Sequence, residues 1–176
     1  IGIARQYDVT ILSWTKGRAS QMNAGAERAE GDQLLFLHAD TILPQDWDVV
    51  LENMSNLNRV WGRFDVGFDD CSIIFNVIAR MMNLRSRFTG ICTGDQGMFV
   101  KRSLFNEIGG FANIPLMEDL ELSKRLRKFS RPHCSASKVI TSSRRWRQNG
   151  ILRTILLMWW LRVLYFFGVS PWSLAK

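Results

Sequence analysis

Gln33-Leu34-Leu35-Phe36-Leu37-His38-Ala39-Asp40-Thr41 passes from an unbroken apolar run to polar residues without a spacer. A short run of this kind reads as a strand buried on both faces, the form strands take in a parallel sheet. In open α/β sheets the ligand crevice lies beyond the carboxyl ends of the strands, which places Asp40 where a carboxylate meets a ligand or a metal. A second acidic feature, Glu118-Asp119, opens a helical pattern far downstream, after Ile114-Pro115-Leu116-Met117. The expectation is that Asp40 and Asp119 converge on one site.

Working outward, Asp8 to Leu12 reads as a short strand and Ala19 to Glu30 as a helix with Met22, Ala26 and Ala29 on one side. Gly31-Asp32 stops that helix, so the expected unit is a strand–helix–strand crossover within a parallel sheet. Pro44 suits the first turn of a helix running to about Asn56. Trp61 to Phe68 alternates as a strand, and Ser72 to Leu84 forms an amphipathic helix with a wide apolar face. A Gly- and Thr-rich loop, Thr89 to Gln96, precedes a short strand, Gly97 to Val100, and a brief helix from Ser103 closed by Gly109-Gly110-Phe111. Asp119 to Phe129 is helical, His133 to Ile140 is a weaker strand, and Arg144-Arg145-Trp146-Arg147 reads as a loop before an apolar helix.

A chain of 176 residues is long enough for one sizeable core. Its three cysteines, Cys71, Cys92 and Cys134, are widely spaced and lack a Cys-x-x-Cys pair, which argues against a disulfide framework or structural zinc and fits a reducing compartment. The opening residues Ile1-Gly2-Ile3-Ala4-Arg5 carry no secretory h-region. The formal charge of +7 is lopsided, because no acidic residue follows Glu121. Such asymmetry points to an anionic partner: nucleic acid, a phosphorylated substrate or acidic lipid. Residues 151–169 are strongly apolar but contain Arg153 and Arg162, so they do not read as a spanning helix. Two readings stay open for them: a helix lying in the headgroup region of a membrane, or one packed on the core.

Each acidic feature has a structural explanation as well as a chemical one. Asp40 either caps the turn after its strand or holds a divalent cation that leaves sites free for phosphate oxygens. His38, two residues earlier on the same face, either assists there or satisfies a backbone carbonyl. Glu118-Asp119 sits where a helix dipole favours negative charge, yet two adjacent acids exceed what a cap requires. A carboxylate beside another is a better proton acceptor for a hydroxyl nucleophile.

Several elements in order carry a resemblance. Gly17-Arg18-Ala19-Ser20-Gln21-Met22-Asn23-Ala24-Gly25-Ala26, then Gly31-Asp32 and the central strand, resembles the family 2 glycosyltransferases of the GT-A fold. The likeness continues through Gly94-Asp95-Gln96-Gly97-Met98-Phe99-Val100 and Ile108-Gly109-Gly110-Phe111 to Glu118-Asp119-Leu120-Glu121-Leu122-Ser123-Lys124-Arg125-Leu126. Phe36 to Thr41, Trp61-Gly62-Arg63-Phe64-Asp65, Asn83-Leu84-Arg85-Ser86-Arg87 and Arg144-Arg145-Trp146 are similar to the bacterial group described as radical-SAM/selenodomain-associated transferases.

The resemblance implies an α/β, GT-A-like sheet, mostly parallel and mixed, with flanking helices. Residues 1–148 would form the catalytic core and 149–176 the apolar, basic C-terminal helix. It implies inverting transfer of a sugar from a nucleotide-diphosphate donor to an acceptor hydroxyl, a lipid-linked acceptor included. Arg18, Asn23, His38, Ala39 and Asp40 would bind the nucleotide-sugar, with Asp40 holding Mg²⁺ or Mn²⁺ on the diphosphate. Asp119, with Glu118, would supply the base. Gly94, Asp95 and Gln96 would line the donor-sugar or acceptor pocket, and Arg145 and Trp146 the acceptor side. His38 stands where the family's usual Asp-x-Asp has its first acid, so metal dependence is expected to be weaker or differently tuned. The family's first strand and its Asp-Gly-Gly/Ser-Ser-x-Asp segment do not precede Gly17, so the chain reads as N-terminally incomplete.

The implied location is cytoplasmic, peripheral on the inner face of the plasma membrane through 151–169. Two other readings compete: a GT-A-like sugar nucleotidyltransferase, and a catalytically incompetent basic binding module. Nucleic acid is not the expected partner, because no recognised motif accompanies the charge.

Overall fold

The computed structural model describes residues 4–175. Ile1 to Ile3 and Lys176, the outer ends of the two expected regions and part of the stretch searched for a leader, lie outside the described residues.

Among the described residues eight α-helices and five strands follow one another. They are α1 (Arg18–Arg28), β1 (Gln33–Phe36), β2 (Thr41–Ile42), α2 (Trp47–Asn56), β3 (Trp61–Phe68), α3 (Ile73–Thr89), β4 (Met98–Lys101), α4 (Arg102–Glu107), α5 (Glu118–Leu126), β5 (His133–Thr141), α6 (Arg144–Asn149), α7 (Ile151–Phe166) and α8 (Pro171–Leu174). The strands form one mixed sheet in the order β1-β4-β3-β5-β2. β3 and β5 are parallel, and the other three pairings are antiparallel. The fold is thus a mixed α/β, GT-A-like sheet flanked by helices, but with one parallel pairing in four the described strands are mostly antiparallel, against the expectation of a mostly parallel sheet.

Alternation along the strands divides the core into two layers. On one face Met98 and Val100 of β4 pack with Trp61, α1 residues Ala19 and Ala26, Leu104 and Phe105 of α4, and Leu122 and Leu126 of α5. On the other, Phe99 packs with Phe64, Val66 and Val139 under Val50 and Met54 of α2 and Ala79 of α3. Gly62 lies where β3 is crowded by both neighbours: a Cβ there would meet the His133 carbonyl and the Phe99 ring at 2.5 Å each.

Two features of the sheet position the site. β4 begins at Met98, opposite Arg63, so the upper half of β3 has no strand beside it on that edge. Asn83 of α3 takes the strand's place: its Oδ1 accepts from Val66 N–H at 2.9 Å and its Nδ2 donates to the Val66 carbonyl at 3.0 Å. A buried strand edge must find such partners. Then, β1 and β2 lie at opposite ends of the strand order although only residues 37–40 join them. Four strand spacings in a flat sheet amount to about 19 Å, whereas five Cα steps reach at most about 18 Å. The sheet therefore curls, and the 37–40 bridge passes over the gap that β4 leaves. Leu37 packs there, within 3.5 Å of where a Gly97 Cβ would stand.

The structure corrects several expectations. β1 is neither parallel nor fully buried: it runs antiparallel to β4 at a sheet edge, and only Leu34 is buried. Asp8 to Leu12 forms no strand, and Val9, Ile11 and Leu12 are exposed, because no strand edge pairs with that segment. The strand–helix–strand crossover is accordingly not formed among the described residues. α3 is longer than its apolar pattern and presents Ile73, Ile74, Val77 and Met81 to solvent, burying Phe75, Ile78, Ala79 and Asn83 instead. Arg144–Arg147 is helical rather than a loop. Asp69 supplies the anchor: it accepts from Ser143 N–H at 2.7 Å and Ser142 Oγ at 3.2 Å, while Asp70 pairs with Arg147. No residue of α7 is buried, and no helix among the described residues is long and apolar enough to cross a membrane.

Candidate active site

Asp40 and Asp119 line one cleft of about 470 Å³, together with Arg18, His38, Gly94, Asp95, Glu118, Arg145 and Trp146. The elements that bring them there are the 37–40 bridge, the start of α1, the 93–95 loop, the first turn of α5, and α6.

α5 starts abruptly. Met117 adopts the left-handed conformation, φ 67°, which is uncommon for a residue with a side chain. The kink presents Glu118 and Asp119 in the first helical turn, where the helix dipole favours carboxylates. Asp119 Oδ2 accepts the Gly94 N–H at 2.8 Å and Oδ1 accepts the Leu120 N–H at 2.8 Å, so the 93–95 loop and α5 are tied at this side chain. Ser123 reinforces the tie, its Oγ accepting from Cys92 N–H at 3.1 Å.

A relay of charged side chains extends from there. Glu118, almost fully buried, pairs with Arg18 Nε at 3.0 Å, although its Oε1 accepts no hydrogen bond of good geometry. Arg18 Nη2 reaches His38 Nε2 at 2.8 Å, and His38 Nδ1 lies 3.1 Å from Asp95 Oδ1. A guanidinium only donates, so Nε2 is the acceptor and Nδ1 carries the hydrogen that faces Asp95. The relay begins beside Asp119, passes through His38 two residues before Asp40, and ends at Asp95. Gly94 lets the relay close at its centre: a Cβ there would collide with His38 Nε2 and stand 2.9 Å from Arg18 Nη2, so one of the two would have to shift.

The two outlying carboxyls are pushed in opposite directions. Burial raises the Glu118 carboxyl, the Asp119 charge adds to this, and Arg18 offsets only part of it. Burial also acts to raise Asp95, but the His38 hydrogen bond and the charges of Arg18 and Arg162 outweigh it and hold that carboxyl low.

Not every expected residue reaches the cleft. Asn23 does not line it: its Nδ2 donates to the Phe111 carbonyl at 2.8 Å and its Oδ1 accepts the Phe111 N–H at 2.9 Å, which secures the Gly109-Gly110-Phe111 turn. Arg125 holds the same turn through the Ile108 and Gly110 carbonyls, both at 2.6 Å. Gln96 is fully buried behind the loop, where it bonds Thr93, Asn83 and Ser86. Ala39 is exposed and outside the lining. Cys92 is a core thiol that burial pushes up to about 12. Sequence reasoning missed the wall built by α7, where Arg153, Leu157, Met158 and Arg162 line the cleft. The two arginines interrupting an apolar run were its signal.

Among the described residues no group of three or more His, Cys, Asp or Glu side chains gathers to hold a metal ion. With its ring nitrogens engaged by Arg18 and Asp95, His38 is not free to ligate. Asp40 remains, an exposed carboxylate on the cleft. One carboxylate fits a hard cation held chiefly by phosphate oxygens and water, and does not fit a cage made of protein alone.

The model of glycosyl transferase family 2 matches residues 2–109. Arg18, His38, Asp40, Gly94 and Asp95 fall within that span, and Glu118, Asp119 and α7 lie past it. No curated protein and no solved structure matches the chain.

Proposed function

The chain belongs to glycosyl transferase family 2, and from that premise we propose that it catalyses inverting transfer of a sugar from a nucleotide-diphosphate donor to an acceptor hydroxyl. The observation that carries this reading is the meeting of Asp40 and Asp119 in one cleft, with the Glu118–Arg18–His38–Asp95 relay running alongside both. The likeness to the radical-SAM-associated transferases rests on the motifs alone, among them Phe36 to Thr41 and Arg144 to Trp146.

Asp119 takes the proton of the acceptor hydroxyl. The hydroxyl oxygen forms its bond to the anomeric carbon as the bond from that carbon to the diphosphate oxygen breaks. The nucleoside diphosphate leaves with the electron pair, and attack from the opposite side inverts the centre. The two backbone N–H bonds to Asp119 fix its direction and leave a lone pair on each oxygen for the proton. Glu118 is a positioning residue, since it is buried against Arg18. Arg18, held in place by His38, presents its guanidinium toward anionic donor groups, and Asp40 would hold a Mg²⁺ or Mn²⁺ ion whose charge offsets that of the leaving diphosphate. Arg145 and Trp146 border the acceptor side.

The outer face of α7 supports a peripheral membrane contact. Leu152, Leu156, Trp159, Trp160, Val163 and Phe166 are all exposed and fall within one arc of the helix. In this reading residues 149–175 are the docking segment, the surface met is the cytoplasmic leaflet of the plasma membrane, and a lipid-linked acceptor would be within reach.

The test separates the two acids. Asp119→Asn is expected to lower transfer about 10²–10⁴-fold while nucleoside diphosphate binding, measured by calorimetry, is retained. Asp40→Asn is expected to weaken nucleoside diphosphate binding in Mn²⁺ and to abolish the difference between Mn²⁺ and EDTA. Unchanged turnover in Asp119→Asn removes the base assignment, and retention of the anomeric configuration in the product removes the mechanism.

A further inference from the structure

α3 has two apolar faces, and only one of them is covered. Phe75, Ile78 and Ala79 are buried, whereas Ile73, Ile74, Val77, Met81, Leu84 and Phe88 are exposed, Ile73 to 82% and Phe88 to 80%. At about 100° per residue those six fall within one arc of about 100°, in a strip about 25 Å long. A long apolar strip rimmed by polar groups marks a contact surface.

The charges around the strip are of one sign. Arg80 and Arg87 border one side of the arc, and no acidic residue falls between Cys71 and Gly94. Arg87 is given over to Asp65, but Arg80 is exposed and has no carboxylate partner among the described residues. More arginines stand at the head of the helix. The Phe68 ring lies 5.0 Å from Phe75 of α3 and 5.7 Å from Trp146 of α6, centroid to centroid. Asp70 accepts the Ser72 N–H at 2.8 Å and pairs with Arg147. These contacts seat α6, with its exposed Arg144 and Arg145, against the start of α3. The acids nearby are engaged within the protein: Asp65 by Arg63 and Arg87, Asp69 by Ser142 and Ser143, Asp70 by Arg147. Because α6 leads into α7 through Gly150, the strip on α3 and the exposed arc of α7 both start from this arginine cluster.

Charge also separates the occupants such a strip could take. A second copy laid strip to strip would pair about a two-fold axis. Arg80 lies near the midpoint of the strip, so parallel and antiparallel pairing both set Arg80 against its own copy, with no acid on the helix to answer it. An anionic lipid surface accepts both components: the apolar side chains enter the headgroup boundary and the arginines meet phosphates. The formal charge of +7 favours the same partner.

We propose that α3 is a membrane-docking element in its own right, inserting Ile73, Val77, Met81, Leu84 and Phe88 at the headgroup level of an anionic bilayer, with Arg80 and Arg144 on its phosphates. No α3 residue lines the cleft. The surface is additional to the α7 contact, and it stands whether or not the chain transfers a sugar.

Vesicle co-sedimentation of the whole chain tests this. The wild type is expected to bind phosphatidylglycerol vesicles several-fold more tightly than phosphatidylcholine vesicles, the difference fading as salt rises. Ile73→Ser with Phe88→Ser is expected to weaken phosphatidylglycerol binding about tenfold or more without moving the melt, since both side chains are exposed in the free protein. Arg80→Gln and Arg144→Gln are each expected to weaken it about fivefold. Undiminished binding by the Ile73→Ser, Phe88→Ser variant overturns the proposal, as does equal affinity of the wild type for the two lipids. A lipid-free dimer in sedimentation velocity that the same variant dissolves assigns the strip to a second copy and also overturns it. Should that variant lose its cooperative melt, hydrogen exchange of the wild type decides: slowing of residues 73–89 by phosphatidylglycerol vesicles supports the docking, and unchanged exchange there sinks it. Weakened binding by the α3 variant beside full binding by Trp159→Ser with Trp160→Ser would support α3 while removing the α7 contact.

Discussion

The cleft is bounded by two kinds of wall. Around Asp119 and His38, nearly every polar atom is spoken for: Asp119 by two backbone N–H groups, Arg18 by Glu118 and His38, and His38 by Asp95. The α7 wall has no buried residue, and its Arg162 keeps an orphaned N–H. A recorded tie from α7 to the core is Lys124 of α5 over the Tyr165 ring at 4.2 Å, a contact of the kind that contributes about 0.5–1 kcal/mol at exposed sites. The contrast teaches a division of labour. The first wall is preorganised, so it suits a step where small displacements are costly. The second is incomplete by itself, and a bound molecule or a surface would finish it.

Ways to break that contrast run from the relay outward. Gly94→Ala should do the most damage after loss of Asp119 itself, because the new methyl has no room between His38 and Arg18. Both groups it meets end flexible side chains, so the relay shifts while the fold yields little: a nearly unchanged thermal midpoint and transfer reduced by about tenfold or more are expected. An unchanged melt with full turnover would show that the first wall yields as readily as the second.

Glu118→Gln sharpens the comparison through pH. A carboxyl raised in the folded state binds its proton more tightly there than in the unfolded chain. Its stabilising contribution is therefore complete below the ordinary value of 4.5 and is lost as pH rises through the raised folded value. Wild-type stability should fall across that window, and Glu118→Gln should flatten the fall. Urea midpoints between pH 4 and 7 read this out, and identical slopes would remove the buried-acid account.

The smallest effect on stability is expected on the outer side of α7. Trp159→Ser with Trp160→Ser removes two exposed rings, so the melt should shift by no more than about 0.5 kcal/mol equivalent. Co-sedimentation with anionic phosphatidylglycerol vesicles should nevertheless drop several-fold. Equal sedimentation of both proteins would place the membrane contact elsewhere.

Particular residues show which features were legible in advance. β3 occupies the stretch its alternation marked, and α5 opens at the acid pair. The stop at Gly31-Asp32 separates α1 from β1 as expected. The family match covers the motifs that drew attention to Arg18, Asp40 and Gly94. Asn23 was equally conspicuous, yet it serves the Phe111 turn, because a motif does not distinguish a side chain that meets a ligand from one that holds the loop nearby. Gln96 falls in the same class.

The amino-acid sequence by itself determined most of the local elements between Arg18 and Thr141, the acid pair at a helix start, and the carboxylate after an apolar strand, since periodicity, caps and dipoles act within a few residues. Tertiary structure alone decided that β1 is an antiparallel edge, that the sheet curls over the 37–40 bridge, and that Arg162 of α7 shares a cleft with Asp119. Those outcomes depend on which distant segments supply a strand's neighbour or leave a charge without one. Burial and pairing are settled between segments far apart in the chain, where sequence spacing carries no information.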